Sequence, residues 1–579
     1  MYDLVLRNGF VVDGSGEPGF IADVAVKDGV IAEVGLGLAS GRREVDCTGL
    51  MVTPGWVDMH THYDGQVTWD PYLTPSGWHG VTTVVMGNCG VGFAPCRSED
   101  REWLINVMEG VEDIPGCALT TGMVWGWQTF PEYLDFIDSQ EHAVDFAAQI
   151  PHSAVRAWVM GRESSETDNA TDEQIQQMQD VVAEALQAGA LGFSTSRTAL
   201  HKSAAGIHVG GTFAEEKELL GIAEALGRTG KGMFQLADEH LEVGKSMRWL
   251  RQIAEENGRP VCVNMSQTDL DPTLWQRVLP EIERAAADGV PLYLQAAGRA
   301  IGILMCWRGT AHPFVLKPTW HAKLAHLDHD DLYVELCKPE IRRALIDEDP
   351  VQAGPFEYFV TQSFHKMFDL AADGYEPAPD RSIAARAGDG PNAAAELAYD
   401  ALMEADGQGF VYFPLFNYSD GNLDLLHTMH QHPQVMMGLS DGGAHCGAIC
   451  DGGMPTFMLT HWARDRTRGP KLPVEYMVHR QTQQTARFYG MLDRGVIKPG
   501  YKADINVLDF AGLSLQAPRM SYDLPAGGRR LVQRADGYVM TVLSGEITFE
   551  RGQPTGVLPG RLVRGSRGPV STSPAAEAK

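Results

Sequence analysis

Pro54-Gly55-Trp56-Val57-Asp58-Met59-His60-Thr61-His62 is a short apolar run that closes on two histidines one residue apart. It reads as a strand. Side chains on a strand alternate faces, so His60 and His62 share one face while Val57 and Met59 take the other. Two imidazoles side by side suggest a metal site. With 19 histidines in 579 residues, an H-x-H pair arises by accident often enough that spacing alone decides nothing. Position carries more weight. Parallel α/β barrels place ligands and catalytic groups at the C-terminal ends of their strands, and such a site calls for a carboxylate much later in the chain.

Outward from this run, strand-like stretches alternate with helical patterns, the signature of a parallel sheet closed by crossover helices. After the His60 strand come Val81–Met86, Ala154–Val159, Ala190–Phe193, Gly232–Leu236, Val261–Met265, Pro291–Gln295 and a strand ending at Met437. Asp172 to Ala188, apolar at spacings of three and four, supplies a packing helix. Hairpin patterns fill both ends, with turns at Asn8-Gly9 and Asp28-Gly29, and half a small sheet at each terminus would have exposed edges unless the halves join. The expected fold is α/β: a (β/α)8 TIM-like barrel over 54–497 with a small β-sandwich built from 1–53 and 498–564. Insertions at about 99–138 and 301–433 read as lids or specificity walls, or alternatively as dimer contacts of a homo-oligomer. The stretch 565–579 is Ser, Pro, Ala and Gly without periodicity and reads as a disordered tail.

Composition narrows the partners. A 44% hydrophobic and 21% charged chain is that of an ordinary globular protein, and a net charge of −28 repels phosphate backbones and anionic lipid. Nucleic acid and membrane are therefore not expected partners; a small-molecule substrate is. No apolar run approaches the roughly 20 residues needed to span a bilayer, and no signal peptide is evident, so the cytoplasm is the expected location. Nine cysteines, an odd number, argue for reduced thiols.

The late carboxylate appears in Gly438-Leu439-Ser440-Asp441-Gly442-Gly443-Ala444-His445, directly after Val435-Met436-Met437. Joined to Gly87-Asn88-Cys89-Gly90, Val111-Glu112-Asp113-Ile114-Pro115, Gly189 to Ser196 and Asp493-Arg494-Gly495, these motifs cover most of the chain. The chain resembles the amidohydrolase superfamily of metal-dependent hydrolases, and within it the N-acyl-D-amino-acid deacylase branch. That resemblance implies that His60 and His62 bind metal, that Asp441 contacts the ion and acts as general base, and that Cys89 is a further ligand. The chemistry suits amide hydrolysis, because a divalent ion held by imidazoles and a carboxylate polarises a carbonyl and lowers the pKa of water. The bland alternative is two satisfied histidines, a capping carboxylate and a buried thiol. For Cys446 and Cys450, packing is the favoured reading.

The departures matter too. Where that branch carries metal-ligand histidines after the fifth and sixth strands, this chain has Gln235 and Gln267, with Asp269 where a lysine is expected. Amides bind transition metals poorly, so the donors suffice for one Zn2+ per chain. The fourth strand offers Ser194 and Thr195 rather than a lysine; His201, His208 or His240 could substitute as ligands. Arg299, Gln235 and Gln267 are candidate substrate-binding residues, although a strand-end arginine equally suits an internal ion pair. Trp103, Trp125 and Trp127 hint at an apolar acyl group, or simply bury their own loop. The expected function is hydrolysis of a non-peptide C–N bond, as in an N-acyl amino acid. Hydrolysis of a lactam or lactone, and a catalytically silent small-molecule-binding barrel, are the alternatives; substrate profiling and metal content separate them.

Overall fold

The His60 strand and the Asp441 loop, nearly 400 residues apart, are backbone neighbours. In the computed structural model, which describes residues 1–238, 241–438 and 440–565, Trp56–Asp58 pairs in parallel with Val81–Met86, and that strand with Asp145–Ala148. The chain steps through Gln149, whose N–H donates to Met86 O at 2.9 Å, into Ile150–Pro151, which pairs with Phe193–Ser196. Phe234–Ala237, Val261–Asn264, Leu292–Ala297 and Val435–Gly438 continue the parallel order. The end then meets the start. Thr61 and Gly442 form a parallel bridge, and Asp441 N–H donates to His60 O at 3.1 Å. Val81–Met86 and Phe193–Ser196 are buried throughout, as parallel strands covered on both faces must be.

One strand lies elsewhere than its sequence suggests. Ala154–Val159 belongs to the helix His152–Met160, and the strand that takes its place is Asp145–Ala148. Ala and Arg in the former favour a helix, while Asp-Phe-Ala-Ala is too short and too small to show a period. The Asp172–Ala188 helix starts at a capping box between Thr171 and Gln174 and buries Ile175, Met178, Val182 and Leu186. Among the described residues no helix is long and apolar enough to cross a membrane.

Strands from both ends of the chain share one nine-stranded sheet. Ile505–Leu508 sits inside it, antiparallel to Met51–Pro54 on one side and to Tyr538–Leu543 on the other. Leu6, Val24, Val52, Ile505, Val507 and Val542 form its common core. Asp28 and Gly29 adopt φ of +52° and +77°, the two left-handed residues of a tight hairpin. Asn8-Gly9 is not a turn but a bulge within Tyr2–Val11, where the register shifts and Asn8 N–H donates to Asp23 Oδ1 at 2.9 Å. Glycine is required there, since a Cβ on Gly9 would lie 2.5 Å from Val52 Cγ2. Arg494 ties this sheet to the parallel strands: Nη1 donates to Asp145 Oδ2 at 2.6 Å and to Thr83 Oγ1 at 3.0 Å, and Lys502 adds a second cation to Asp145 at 2.9 Å.

Both long insertions are folded. The first carries the helices Arg101–Glu112, Gly116–Gly122 and Phe130–Asp138. Its tryptophans pack on each other, Trp125 on Trp127 at 5.1 Å, and Trp127 Nε1 donates to Phe93 O at 2.8 Å, so they bury their own loop. In the second, Ile301–Met305, Val411–Phe416 and Phe368–Asp369 form an antiparallel sheet over a core of its own, including Trp307, Phe314, Trp320 and Tyr399.

Candidate metal centre

His60 Nε2 lies 3.3 Å from Cys89 Sγ and 3.3 Å from Asp441 Oδ1, and His62 Nε2 lies 3.5 Å from the same oxygen. The ligand atoms of His60, His62 and Cys89 fall within 4.8 Å of one another, and all three residues are buried. Two imidazoles and a thiol gathered together, with the Asp441 carboxylate against both imidazoles, are donor types that zinc takes, so the residues present fit a divalent ion. Three residues of the site, Cys89, Asp441 and His445, hold left-handed backbone at φ of 55°, 48° and 50°. Such conformations cost about 1–3 kcal/mol each and persist where the surroundings over-determine them.

Second-layer partners aim the ligands. Gln295 Oε1 lies 2.8 Å from His60 Nδ1, which places the ring N–H there and leaves the Nε2 lone pair facing Cys89 and Asp441. Glu112, at the end of the first insertion helix, puts Oε1 3.3 Å from His62 Nδ1 and Oε2 3.6 Å from His445 Nε2. Asp58, which burial pushes up to about 7, accepts from His60 N–H at 3.2 Å and from Ser440 Oγ, linking the two motifs beneath the site. Burial would also raise Asp441, but a hydrogen bond from His62 and the charges of His60, His445 and His62 hold its carboxyl well below the usual range. His60 is lowered by burial to about 4, against the pull of Asp441. His62 moves the other way: burial opposes its charge, but Glu112 and Asp441 raise it to about 9.

The residues expected to face substrate each have partners within the protein. Gln235 Oε1 accepts the Cys89 N–H at 3.1 Å and its Nε2 donates to Asn264 Oδ1 at 3.1 Å, so Gln235 positions Cys89. Gln267 knits its loop to the second insertion, donating to Asp420 Oδ2 at 2.8 Å and accepting from Ser419 N–H at 3.1 Å. Arg299 makes the internal ion pair, with Nη2 2.7 Å from Asp451 Oδ1, and stacks over Tyr375. Ser194 Oγ and Thr195 Oγ1 are bound to Gly87 O and His152 Nδ1. Of the substitute histidines, His201 bonds Ser196 Oγ at 3.0 Å, and burial together with His445 and His62 lowers it to about 3. His208 packs on Phe213, and His240 lies outside the described residues. Cys446 and Cys450 are buried thiols pushed up to about 12 by burial. Sequence reasoning overlooked Gln295 and gave no role to Glu112 and His445, although both stand in the motifs that carry the resemblance. The signal for Gln295 was an amide closing the apolar run Pro291-Leu292-Tyr293-Leu294; for Glu112, an acid beside the buried Val111 at a helix end.

Imidazoles, a thiol and a carboxylate gathered where parallel strands end are the equipment of a metal-dependent hydrolase acting on carbon–nitrogen bonds. The chain belongs to the amidohydrolase family, whose model matches residues 43–326 and 383–549. It is 27% identical over 571 residues to a D-aminoacylase of Alcaligenes xylosoxydans xylosoxydans, covering 97% of each chain. A solved D-aminoacylase, studied for the role of its binuclear metal centre, matches 97% of this chain and 100% of its own, with a TM-score of 0.64 and 25% identity. The N-acyl-D-glutamate deacylase of Bordetella bronchiseptica, complexed with zinc and a phosphonate inhibitor, gives a TM-score of 0.63 at 23% identity, over 97% of this chain and 99% of that one. The break in the family match, 327–382, falls inside the second insertion.

Proposed function

We propose that the protein hydrolyses the amide of an N-acyl amino acid or a related small molecule, with His60, His62, Cys89 and Asp441 holding one zinc ion and Asp441 acting as general base. The observation that carries this reading is the cluster of His60, His62 and Cys89, with Asp441 against both imidazoles, at the closure between the His60 strand and the Asp441 loop. When bound, the ion would supply Lewis acidity and an activated water at neutral pH. The chain's own residues do the rest. Asp441 is ionised at neutral pH and so able to accept a proton, Gln295 holds His60 by its far nitrogen, Glu112 sets a carboxylate beside His62, and Gln235 fixes Cys89 through its backbone. Names of relatives support the substrate class: D-aminoacylase and the N-acyl-D-aspartate and N-acyl-D-glutamate deacylases.

The architecture under this reading is a (β/α)8 barrel over 54–497, supported by the parallel pairing that returns to its start, beside a β-sandwich assembled from 1–53 and 498–564, supported by the shared nine-stranded sheet. The test is a panel of N-acyl-D- and N-acyl-L-amino acids with free amine as the readout. Hydrolysis that chelation abolishes and zinc restores is the expected result. A zinc-loaded protein that opens lactams or lactones but releases no amine from the panel would replace this reading.

A further inference from the structure

The loop that presents Asp441 also presents a third imidazole, His445, four residues further on. Its backbone is held from both sides: the N–H donates to Glu112 O, and the carbonyl accepts from Ala448 N–H and Ile449 N–H, both at 2.9 Å. Those bonds fix a histidine at φ of 50°, a conformation that asparagine or glycine takes with less strain. The ring stands at the acid that also stands beside His62. Glu112 Oε1 lies 3.3 Å from His62 Nδ1 and Oε2 lies 3.6 Å from His445 Nε2, so one buried carboxylate serves two imidazoles. Exposure separates those imidazoles. His60, His62, Cys89 and Asp441 are each 9% exposed or less, whereas the His445 side chain is 26% exposed. The charge of His445 is nevertheless felt at Asp441 and at His60, which puts it within electrostatic reach of both.

We propose that His445 is the general acid of the reaction, delivering a proton to the amine nitrogen as it leaves; this rests on the amide-hydrolase reading and completes its proton balance. Asp441 takes one proton from the attacking water, whose oxygen forms the new bond to the acyl carbon. The C–N bond then breaks and its electron pair stays on nitrogen. An alkylamine leaves as the neutral amine and not as its anion, so a proton must reach the nitrogen in that step. Asp441 Oδ1 faces both imidazoles of the cluster, at 3.3 and 3.5 Å, whereas His445 stands at the other oxygen of Glu112, on the exposed margin of the site. There it regains its proton from solvent after each turnover, as Asp441 gives up the one it took. One amide and one water thus yield one carboxylic acid and one amine, and both side chains return to their starting states. Glu112 is a positioning residue, since an acid set beside a catalytic imidazole orients the ring.

The signature of such an acid is a dependence on the leaving group, which a merely structural histidine lacks. His445→Asn is the variant to use, because asparagine tolerates the left-handed backbone; His445→Gly replaces it if it folds poorly. Zinc-saturated wild type and variant are compared in kcat on one acyl group carried as an alkyl amide, an anilide, an alkyl ester and a p-nitrophenyl ester. An alkylamine needs the proton in order to leave, and p-nitrophenolate does not. The variant should lose at least roughly 10²-fold on the alkyl amide and less than about tenfold on the p-nitrophenyl ester, with zinc content equal to wild type. Equal losses on all four substrates, full activity on the alkyl amide, or loss of zinc from the variant would overturn the proposal. Wild type that cleaves no amide would overturn the amide-hydrolase reading instead. The two esters then decide on His445 alone, because an alkoxide also takes a proton as it leaves.

Discussion

Gln295→Leu is the sharpest test of how the site is aimed. The Gln295 amide keeps the His60 N–H on Nδ1, at 2.8 Å, in a ring that is fully buried. Leucine preserves the bulk and removes the acceptor. The buried N–H is then unpaired, at a cost of about 1–3 kcal/mol. The ring can recover that cost by moving its proton to Nε2, where Asp441 Oδ1 at 3.3 Å accepts it. An incoming ion must then displace the proton from the nitrogen it needs. Loss of such an outer partner weakens metal binding by about 10- to 100-fold, or roughly 1.4–2.7 kcal/mol. Competition with a chromophoric zinc chelator measures this directly. Gln295→Glu, which keeps the acceptor, should stay within a few-fold of wild type. Wild-type affinity in Gln295→Leu would refute the reasoning, and equal losses in both variants would show that packing against Gly438, not the acceptor, is what matters.

Three further predictions follow from the same structure. Asp441→Asn keeps shape but removes charge and basicity, so turnover should fall by at least roughly 10²-fold; near-normal turnover would exclude Asp441 as base. Truncation after Lys498 removes Ile505–Leu508 from the middle of the nine-stranded sheet and should destabilise the whole protein, which a melt matching the full chain would contradict. Glu376 is lowered from an ordinary 4.5 to about 2, because its bonds with His461 and Arg466 outweigh the burial that would raise it. A depressed carboxylate stabilises above its unfolded value and loses that contribution as pH falls through the folded one. Wild type should therefore lose on the order of 3 kcal/mol between pH 4.5 and 2 relative to Glu376→Gln. Parallel denaturation curves across that window would rule this out.

Much of the architecture is legible because it is periodic. Alternating strand and helix patterns, the Thr171 capping box and the Asp28-Gly29 turn each have a local physical cause that the sequence displays. The errors also have local causes. Asp145–Ala148 is too short to announce itself, and Asn8-Gly9 supplies left-handed backbone that serves a bulge as readily as a turn. At the site, His60, His62 and Asp441 are legible as candidates because strand alternation and strand ends constrain them. Gln295 and Glu112 are not, since what they do depends on which strand neighbours which and on how an insertion helix folds back. Arg299 shows the same limit. Its place at a strand end is readable, but Asp451, which takes its charge, lies 152 residues away and is revealed only by the fold.

The account rests on one ion held by one set of ligands. Elemental analysis of protein purified without added metal, beside the His60→Ala/His62→Ala double variant, measures that most directly. About one divalent ion per chain, zinc in the main, and none in the double variant is the result expected. Two ions per chain, or one that survives loss of both histidines, would contradict it.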